Sequence, residues 1–380
     1  MLFSQIRGQK SLISRIVSLI DNNHFPHAVL LSGKDGYGNL AIALATAQYI
    51  SCTNRKPNGD SCGECPSCNK YNKLIHPDLH FIFPNTTTKK VEKNNDSSLF
   101  VGDFRRFVLD NQGYCSLNKW YNFIGSENKQ GVINVRDANN IISSLTMKTY
   151  ESPFKIMIIW NADKMNQEAS DKILKILEEP YPNTVFILTT EHKDKIIPTI
   201  LSRVQQISVP PLDDDTMYNA IKQYDNNLSE EQIRIKLSLC EGDYNRIAEL
   251  DSETELNKVR DFVDINRLAM MYRKSAKDIS LFVDTFSKNT REQLKSFLSF
   301  YLKTVEKCWL YNNNVPLAAH PLAQTEEKFK NNFPKFITHN NIEGIYKVIE
   351  QAQKNIDHNA NAKINIFDMI IKLGRQLEKR

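Results

Sequence analysis

A strand–turn–helix segment near residue 30 carries three glycines, Gly33, Gly36 and Gly38, at the spacing of a phosphate-binding loop. In the pattern G-x-x-x-x-G-K-[ST], the lysine contacts the β- and γ-phosphates and the hydroxyl group holds Mg²⁺. In this chain Asn39 stands at the lysine position and Leu40 at the hydroxyl position. The segment therefore predicts the core of a nucleotide-binding fold in which ATP is not bound productively.

A second loss is predicted in the other half of such a site. Hydrolysis also needs acids at the end of a neighbouring strand, which hold Mg²⁺ and activate water. The acid pair would fall on Trp160 and Asn161, and neither residue is charged. We expect Asp163 to cap the following helix, and Lys34 could replace the missing lysine only in part. Two independent losses favour the absence of hydrolysis.

The first 200 residues alternate between strand-like and helix-like patterns, which predicts a largely parallel sheet with crossover helices. The predicted strands cover residues 29–31, 79–83, 155–160, 185–188 and 204–209. Consecutive prolines, Pro210 and Pro211, indicate a domain edge, and the sequence beyond them reads as helices.

Residues 84–131 read as a polar, irregular insertion. We expect its start to be a mobile loop. We also expect four aromatic residues in its later part to fold back onto the core: Phe104, Phe107, Trp120 and Phe123.

Length and composition indicate an ordinary globular protein of two or three domains, with 380 residues of which 41% are hydrophobic. A net charge of +5 is mild, so it permits contact with nucleic acid without arguing for it. Since no apolar run has the length of a membrane span and no signal peptide is evident, we expect a cytoplasmic protein.

Four of the seven cysteines form a cluster with the spacing C-x9-C-x2-C-x2-C: Cys52, Cys62, Cys65 and Cys68. Four thiolates complete the tetrahedral shell of a structural Zn²⁺ ion and leave no open position for catalysis. The segment between them is too polar to order itself by burial, so a metal would stabilise it. A redox pair, free thiols and an iron–sulfur cluster are the alternatives, and zinc is favoured over them. The other cysteines are expected to be buried and unpaired in disulfides.

Taken in order, several segments resemble the clamp-loader branch of the AAA+ proteins, and more narrowly the delta-prime subunits of bacterial DNA polymerase III. FSQIRGQ opens the chain, HAVLLSG leads into the loop, and the four-cysteine insert follows the loop helix. The later matches are NADKM at 161–165, LKILEEP at 174–180 and PTILSR at 198–203.

This resemblance implies an α/β P-loop AAA+ core with a parallel sheet, a small helical lid and an all-α C-terminal collar. The core would cover residues 1–210, with the zinc module at about 52–68. The lid would cover 211–252, and the collar, which serves oligomerisation, would cover 253–380. A second sensor arginine would fall near Arg246.

The resemblance also implies a role in DNA replication as a non-hydrolysing, stator-like member of a hetero-oligomeric ring in the bacterial cytoplasm. Arg203, supported by Ser202, would act as an arginine finger towards nucleotide held by a neighbouring ATPase subunit. The implied partners are tau/gamma-type ATPase subunits and the delta subunit, with the sliding clamp and primer–template DNA reached through the complex. No membrane partner is expected.

Two other functions stay open from the sequence. The chain could be an ATP-hydrolysing subunit of the tau/gamma type, in which Lys34 does the work of the missing lysine. It could also be a zinc-stabilised DNA-binding protein, since Arg55 and Lys56 lie inside the cysteine module.

Overall fold

The computed structural model describes residues 1–89, 91–126, 131–250, 252–315, 322, 325, 327–358 and 360–379. Side chains are described for these residues except at positions 231, 235, 252, 253 and 255. The chain divides into two compact units. The first comprises Met1–Tyr224 and Cys240–Glu249, and the second comprises Asp225–Leu239 and Leu250–Arg380.

A five-stranded parallel sheet forms the centre of the first unit, in the order β2-β3-β4-β1-β5. The strands are β1 (Ala28–Ser32), β2 (Leu79–Ile82), β3 (Lys155–Ile159), β4 (Thr184–Thr190) and β5 (Gln205–Ser208). All five lie where the apolar runs predict strands. The central strands β1, β3 and β4 are covered on both faces and are almost entirely buried, whereas the edge strand β5 (QQIS) exposes two of its four residues.

Helices cover both faces of this sheet and connect its strands. They are α1 (Lys10–Asp21), α2 (Asn39–Ser51), α3 (Pro66–Asn72), α4 (Val101–Asp110), α5 (Leu117–Phe123), α6 (Val135–Thr146), α7 (Gln167–Glu178), α8 (Pro198–Leu201) and α9 (Asp214–Tyr224). After α10 (Glu230–Cys240), the short helix α11 (Arg246–Glu249) also belongs to the first unit.

The two faces of the sheet pack against separate apolar clusters, as the two-residue period of a strand requires. Val29 and Leu31 belong to one cluster, whereas Ala28 and Leu30 belong to the other. The first cluster contains α2, all of whose residues are buried. The helix that follows the glycine loop is therefore a central element of the core.

The insertion at 84–131 is helical in its later part, so the interpretation of the whole insertion as irregular was wrong. It contains α4 and α5, which are short and amphipathic. Three of the four predicted aromatics are buried, and the ring of Phe104 stacks on Phe83 at 3.9 Å. Phe123 is 38% exposed, although its ring contacts Phe107 at 5.4 Å. Residue 90 and residues 127–130 of the insertion lie outside the described residues.

The second unit is built of helices around its own apolar core. Besides most of α10, it contains α12 (Ser252–Met270), α13 (Ala276–Phe286), α14 (Arg291–Asn312), α15 (Glu327–Asn332), α16 (Ile342–Asp357) and α17 (Ala362–Leu377). Thr290 and Gln293 form the expected capping box at the start of α14. Within the described part of the chain, no strand follows β5, and none of the helices has the length and apolar character needed to cross a bilayer. The division into core, lid and collar stays a prediction.

Candidate functional site

The glycine loop joins the end of β1 to the start of α2, and its glycines meet steric requirements of the fold. Gly38 has φ +97°, a left-handed conformation that side chains rarely adopt. A Cβ atom on Gly33 would lie 2.5 Å from the carbonyl oxygen of Val209. The packing of the loop therefore requires glycine at position 33, and its backbone conformation favours glycine at position 38.

The two residues that replace the lysine and the hydroxyl are turned into the protein. Asn39 is fully buried, and its side-chain amide donates a hydrogen bond to the carbonyl of Gly33. Leu40 is 1% exposed and packs in the apolar core. Because both side chains are buried in this arrangement, neither is placed to contact a phosphate group at the surface of the loop.

A distant part of the chain, residues 242–246, covers the loop at Gly36. The N–H of Tyr244 donates to the carbonyl of Gly36 at 3.1 Å. The amide of Asn245, oriented so that both of its ends are satisfied, accepts from the N–H of Gly36 at 3.2 Å. The carboxylate of Asp243 lies so close that a Cβ on Gly36 would be 1.7 Å from its Oδ1. Both backbone groups of Gly36 therefore have partners within the chain.

The backbone N–H of the preceding loop residue, Asp35, also has a partner within the chain. Its N–H donates to Glu191 Oε1 at 2.7 Å, so a carboxylate of the protein occupies a donor that could have faced an anion. The Asp35 side chain is buried, and desolvation, followed by repulsion from Glu191, raises the pKa of its carboxyl group well above the usual value. The Glu191 carboxylate, which occupies the N–H of Asp35, would repel a phosphate at this point of the loop.

Lys34, the residue that could replace the missing lysine only in part, faces a carboxylate of the first unit. Its Nζ lies 3.8 Å from Glu241 Oε2 and 5.9 Å from the centre of the Tyr37 ring. Glu241 also lies 3.6 Å from Arg246 Nη1, the residue near which a second sensor arginine was predicted. Both cations at the mouth of the loop therefore face a carboxylate of the same unit.

At the second half of the predicted site, Trp160 and Asn161 are buried, and Asn161 donates to Asp35 Oδ2 at 3.4 Å. The expectation that Asp163 caps the next helix was wrong. Asn166 is the N-cap of α7, and Asp163 accepts instead from the hydroxyl of Thr190 at 2.8 Å. A hydroxyl at the end of β4 provides a partner that the sequence pattern of α7 does not reveal.

The four predicted cysteines meet in space. Their sulfur atoms all lie within 4.8 Å of one another. The Sγ atom of Cys62 is 3.7 Å from that of Cys52 and 3.8 Å from that of Cys68. A tetrahedral ion with metal–sulfur bonds of about 2.3 Å would place its sulfurs about 3.8 Å apart. The cluster therefore fits a metal ion.

Backbone donors around the cluster favour thiolates. Backbone N–H groups of Cys62, Cys65 and Cys68 point at the sulfurs of Cys52, Cys62 and Cys65, at 3.4, 3.3 and 3.4 Å. The module is also tied to the rest of the unit through Asp60, whose carboxylate accepts from the N–H groups of Phe3 and Ser4. The remaining cysteines, Cys115, Cys240 and Cys308, are buried elsewhere, as expected.

Arg203 lies at the protein surface just after α8, where its guanidinium group is held by three contacts. Nη1 donates to the carbonyl of Thr199 at 2.9 Å and to the hydroxyl of Ser202 at 3.0 Å. Nη2 lies 2.6 Å from Glu178 Oε1, at the end of α7, and both of these side chains are about one-third exposed or more. Ser202 in turn donates to Thr199, so it holds the arginine rather than contacting anything further away.

The sheet separates Arg203 from the glycine loop of its own chain. Val29 pairs with Gln205, and Ser32 pairs with Ser208. Arg203 precedes β5 by two residues and the loop follows β1, so they lie at opposite ends of the strands. Six residues at about 3.3 Å each separate them by roughly 20 Å.

Sequence reasoning located the glycine loop, the four cysteines and Arg203 with Ser202. It missed their partners, such as Glu178 and Glu191, and it named only Arg246 of the covering segment at 242–246. Its signal is weak: Gly242 has φ +72° and is followed by Asp243 and Asn245, side chains that commonly bond to nearby backbone. Such a pattern predicts a turn, and nothing in it indicates the loop that the turn covers.

The parallel sheet, the glycine loop after its first strand and the helical second unit define an α/β core of the AAA+ class with a helical C-terminal part. A family model described as "DNA polymerase III, delta subunit" matches residues 8–213, more than half of the chain. The chain belongs to this family.

Relatives with curated names agree with this assignment. DNA polymerase III subunit delta' of Bacillus subtilis is 26% identical over 205 residues, 54% of this chain and 48% of the relative. Subunit delta' of Haemophilus influenzae is 27% identical over 199 residues, which are 52% of this chain and 47% of the relative. Subunit tau/gamma of H. influenzae is 24% identical over 212 residues, which are 56% of this chain and 24% of the relative. The chain spans about half the length of the delta' relatives it matches.

A gamma subunit-related protein of Thermotoga maritima, known as a crystal structure, aligns with 97% of this chain and 99% of its own. Its TM-score of 0.39 and identity of 13% add nothing to the family assignment.

Proposed function

We propose that this protein is a non-hydrolysing, stator-like subunit of a bacterial DNA polymerase III clamp loader. In this role it presents Arg203 to ATP bound by a neighbouring tau/gamma-type subunit. Together with a delta subunit, the ring loads the sliding clamp onto primer–template DNA in replication. The relatives named delta' and tau/gamma motivate the complex, and the contacts at the loop and at Arg203 motivate the division of labour.

The observation that carries the proposal is the separation of Arg203 from its own loop. An arginine roughly 20 Å away across the sheet cannot act on a nucleotide there. An arginine supplied in trans stabilises charge on the transferring phosphoryl group and needs nothing from the donor's own loop. A closed loop and an accessible arginine are both expected of a subunit that acts on its neighbour's nucleotide.

Glu178 gives this arginine a resting partner. In the isolated chain the carboxylate neutralises the guanidinium, and the Thr199 carbonyl and Ser202 hydroxyl fix its direction. A phosphate oxygen presented by a neighbouring subunit would replace Glu178 as the anion. Because an exposed pair of this kind is worth only about 0–1 kcal/mol, the exchange costs little.

The test is reconstitution of the complex from ATPase subunits, a delta subunit, the clamp and primed DNA, with this chain as wild type, Arg203→Ala or Arg203→Lys. We expect Arg203→Ala to slow hydrolysis at the one adjoining site by about 10³-fold or more. Single-turnover ATPase and clamp-loading rates report the loss. Arg106→Ala removes another exposed arginine of the same unit and serves as the matched control.

Assembly must be checked separately. If size-exclusion chromatography shows the complete ring with Arg203→Ala and its ATPase and loading rates equal those of the wild type, the arginine-finger role is wrong. If Arg203→Lys restores the full rate, a positive charge alone is sufficient, and the planar guanidinium is not what the site requires.

We further propose that the four-cysteine cluster holds one structural Zn²⁺. Bound there, zinc would cross-link residues 52–68 and leave no position for a substrate. Elemental analysis of the purified chain should find about one zinc per chain, Cys65→Ser should lose it, and Cys308→Ala should retain it. Full zinc content in Cys65→Ser would refute the ligand assignment.

A further inference from the structure

The insertion at 84–131 creates a cavity at the edge of the sheet that none of the functions above uses. Its walls are β2, the N-terminal half of α4 with the turn before it, and α6. Its volume is about 160 Å³. It is too small for a nucleotide or a drug-sized cofactor and large enough for one amino-acid side chain.

An arginine without a partner lies in its wall. Arg105 Nε is buried and makes no hydrogen bond, and within the described part of the chain no carboxylate pairs with this guanidinium. Burial lowers the pKa of Arg105. The next residue, Arg106, provides the contrast, because its Nη2 is 3.1 Å from Asp103 and its guanidinium lies over the ring of Phe123.

The carboxylate that lines the cavity forms hydrogen bonds with groups other than Arg105. Of the described residues that line the cavity, Asp137 is the only acidic one. It accepts from the N–H and hydroxyl of Ser97, from the N–H of Asn134 and from the amide of Asn85. Burial also lowers the pKa of His80, so this second basic group is neutral near pH 7. Of the two charged side chains that line the cavity, Arg105 is therefore the one without a bonding partner among the described residues.

The edge of β2 adds backbone groups to the same cavity. The carbonyls of Asp78 and Ile82 face β3, where they accept from Ile156 and Trp160. Successive residues of a strand alternate in direction, so the N–H and C=O of Phe81 point away from β3. The adjacent edge position is closed, since Ser97 bonds both backbone groups of Phe83. Within the described part of the chain, no turn, loop or side chain forms a hydrogen bond with the backbone N–H or C=O of Phe81.

We propose that this cavity binds an extended peptide segment of a partner protein, which pairs with β2 at Phe81 and places one acidic side chain against Arg105. Strand addition at a free sheet edge supplies main-chain hydrogen bonds, and a pocket for a single side chain supplies specificity. A carboxylate on that side chain would give the unpaired guanidinium of Arg105 both an acceptor and an opposite charge. The short free edge restricts pairing to about two or three residues, so the affinity is modest.

The test uses the full-length protein, labelled with ¹⁵N, and five acetylated and amidated pentapeptides of valine and threonine. Each peptide has one glutamate at a different position, and five matched peptides have glutamine instead. We expect at least one glutamate peptide to shift both the Phe81 amide resonance and the Arg105 Nε–H resonance. Its glutamine counterpart should bind at least about tenfold more weakly, the equivalent of about 1.4 kcal/mol.

Substitutions distinguish a specific role of Arg105 in binding from a general effect of positive charge. Arg105→Gln should weaken binding about tenfold, Arg105→Lys should weaken it less, and Arg106→Gln should leave it within about twofold. Circular dichroism melting checks that each variant is folded. If Arg105→Gln does not fold, the two peptide series on the wild-type protein still decide the question.

Three results would overturn the proposal. One is the absence of any shift at peptide concentrations of about 2 mM, a range that detects even millimolar affinity. Another is equal binding of the glutamate and glutamine peptides. The third comes from acetate and inorganic phosphate as separate probes: if either saturates Arg105 as tightly as the best peptide, the cavity is a simple anion site and the strand edge has no part in it.

Discussion

The glycine loop and the surface around Arg203 lie at opposite ends of the same strands, and they differ in how their polar groups are satisfied. At the loop, backbone donors and side chains are bonded within the unit, by Asn245, Glu191 and Asn39. At the other end, Arg203 has an exposed ionic partner that a stronger anion can displace. Substitutions at the loop should therefore change stability, whereas substitutions at Arg203 should change activity in the complex.

The largest effect is expected at Gly36. In Gly36→Ala the new methyl group collides with Asp243, so the variant should lose about 3 kcal/mol of unfolding free energy, the upper part of the range for overpacking. Chemical denaturation measures the loss. Gly102→Ala is the matched control, because a Cβ there meets nothing within 4 Å and should stabilise α4 slightly.

A second substitution sharpens this result. Asp243→Ala removes the two nearest colliding atoms and leaves the backbone nitrogen of Asn245 at 2.9 Å, so the double variant Gly36→Ala/Asp243→Ala should be more stable than Gly36→Ala alone. If Gly36→Ala is as stable as the wild type, residues 242–246 do not cover the loop in solution.

The next effect is a dependence on pH at Asp35. Its folded pKa is raised, so the folded state holds a proton more strongly than the unfolded chain, whose pKa is near 3.8. The contribution of this group to stability is greatest below pH 3.8 and falls as the pH rises towards the folded pKa. Asp35→Asn should therefore stabilise the protein by roughly 1–2 kcal/mol at neutral pH, and less in acid.

Thermal unfolding of Asp35→Asn and wild type across pH 4 to 8 measures this difference. Asp171→Asn, which changes an exposed carboxylate on α7, should show no such trend. A gap between Asp35→Asn and wild type that is constant with pH would mean that Asp35 is not the group that titrates.

The smallest effect is expected at the other end of the strands. Glu178→Gln removes the resting partner of Arg203, and an exposed ion pair is worth about 0.2–1 kcal/mol. The unfolding free energy should change by no more than that. In the reconstituted ring, hydrolysis at the adjoining site should be up to about fivefold faster at subsaturating subunit concentrations. A rate reduced as strongly as that of Arg203→Ala would show that Glu178 acts with the arginine instead of restraining it.

The sheet could be predicted closely from the sequence because its strands, apart from the polar edge strand β5, are mainly apolar runs bounded by polar or glycine-rich turns. The cysteine cluster could be predicted because its spacing is local. The cover over the loop could not, because Asp243 and Asn245 are about 200 residues from Gly36 in sequence and their polar character is equally typical of any surface turn. The helix α4 was missed because two neighbouring arginines make its sequence look polar, although its other face carries Phe104 and Phe107.

The closed loop also has a consequence for how this protein is maintained in a cell. A ligand stabilises a fold only in proportion to its occupancy of the native state. The N–H groups of Asp35 and Gly36 are already bonded to Glu191 and Asn245, so we expect the first unit to fold without a bound nucleotide. If the loop takes no nucleotide, as proposed, the melting temperature of the protein should not change when Mg-ATP is added.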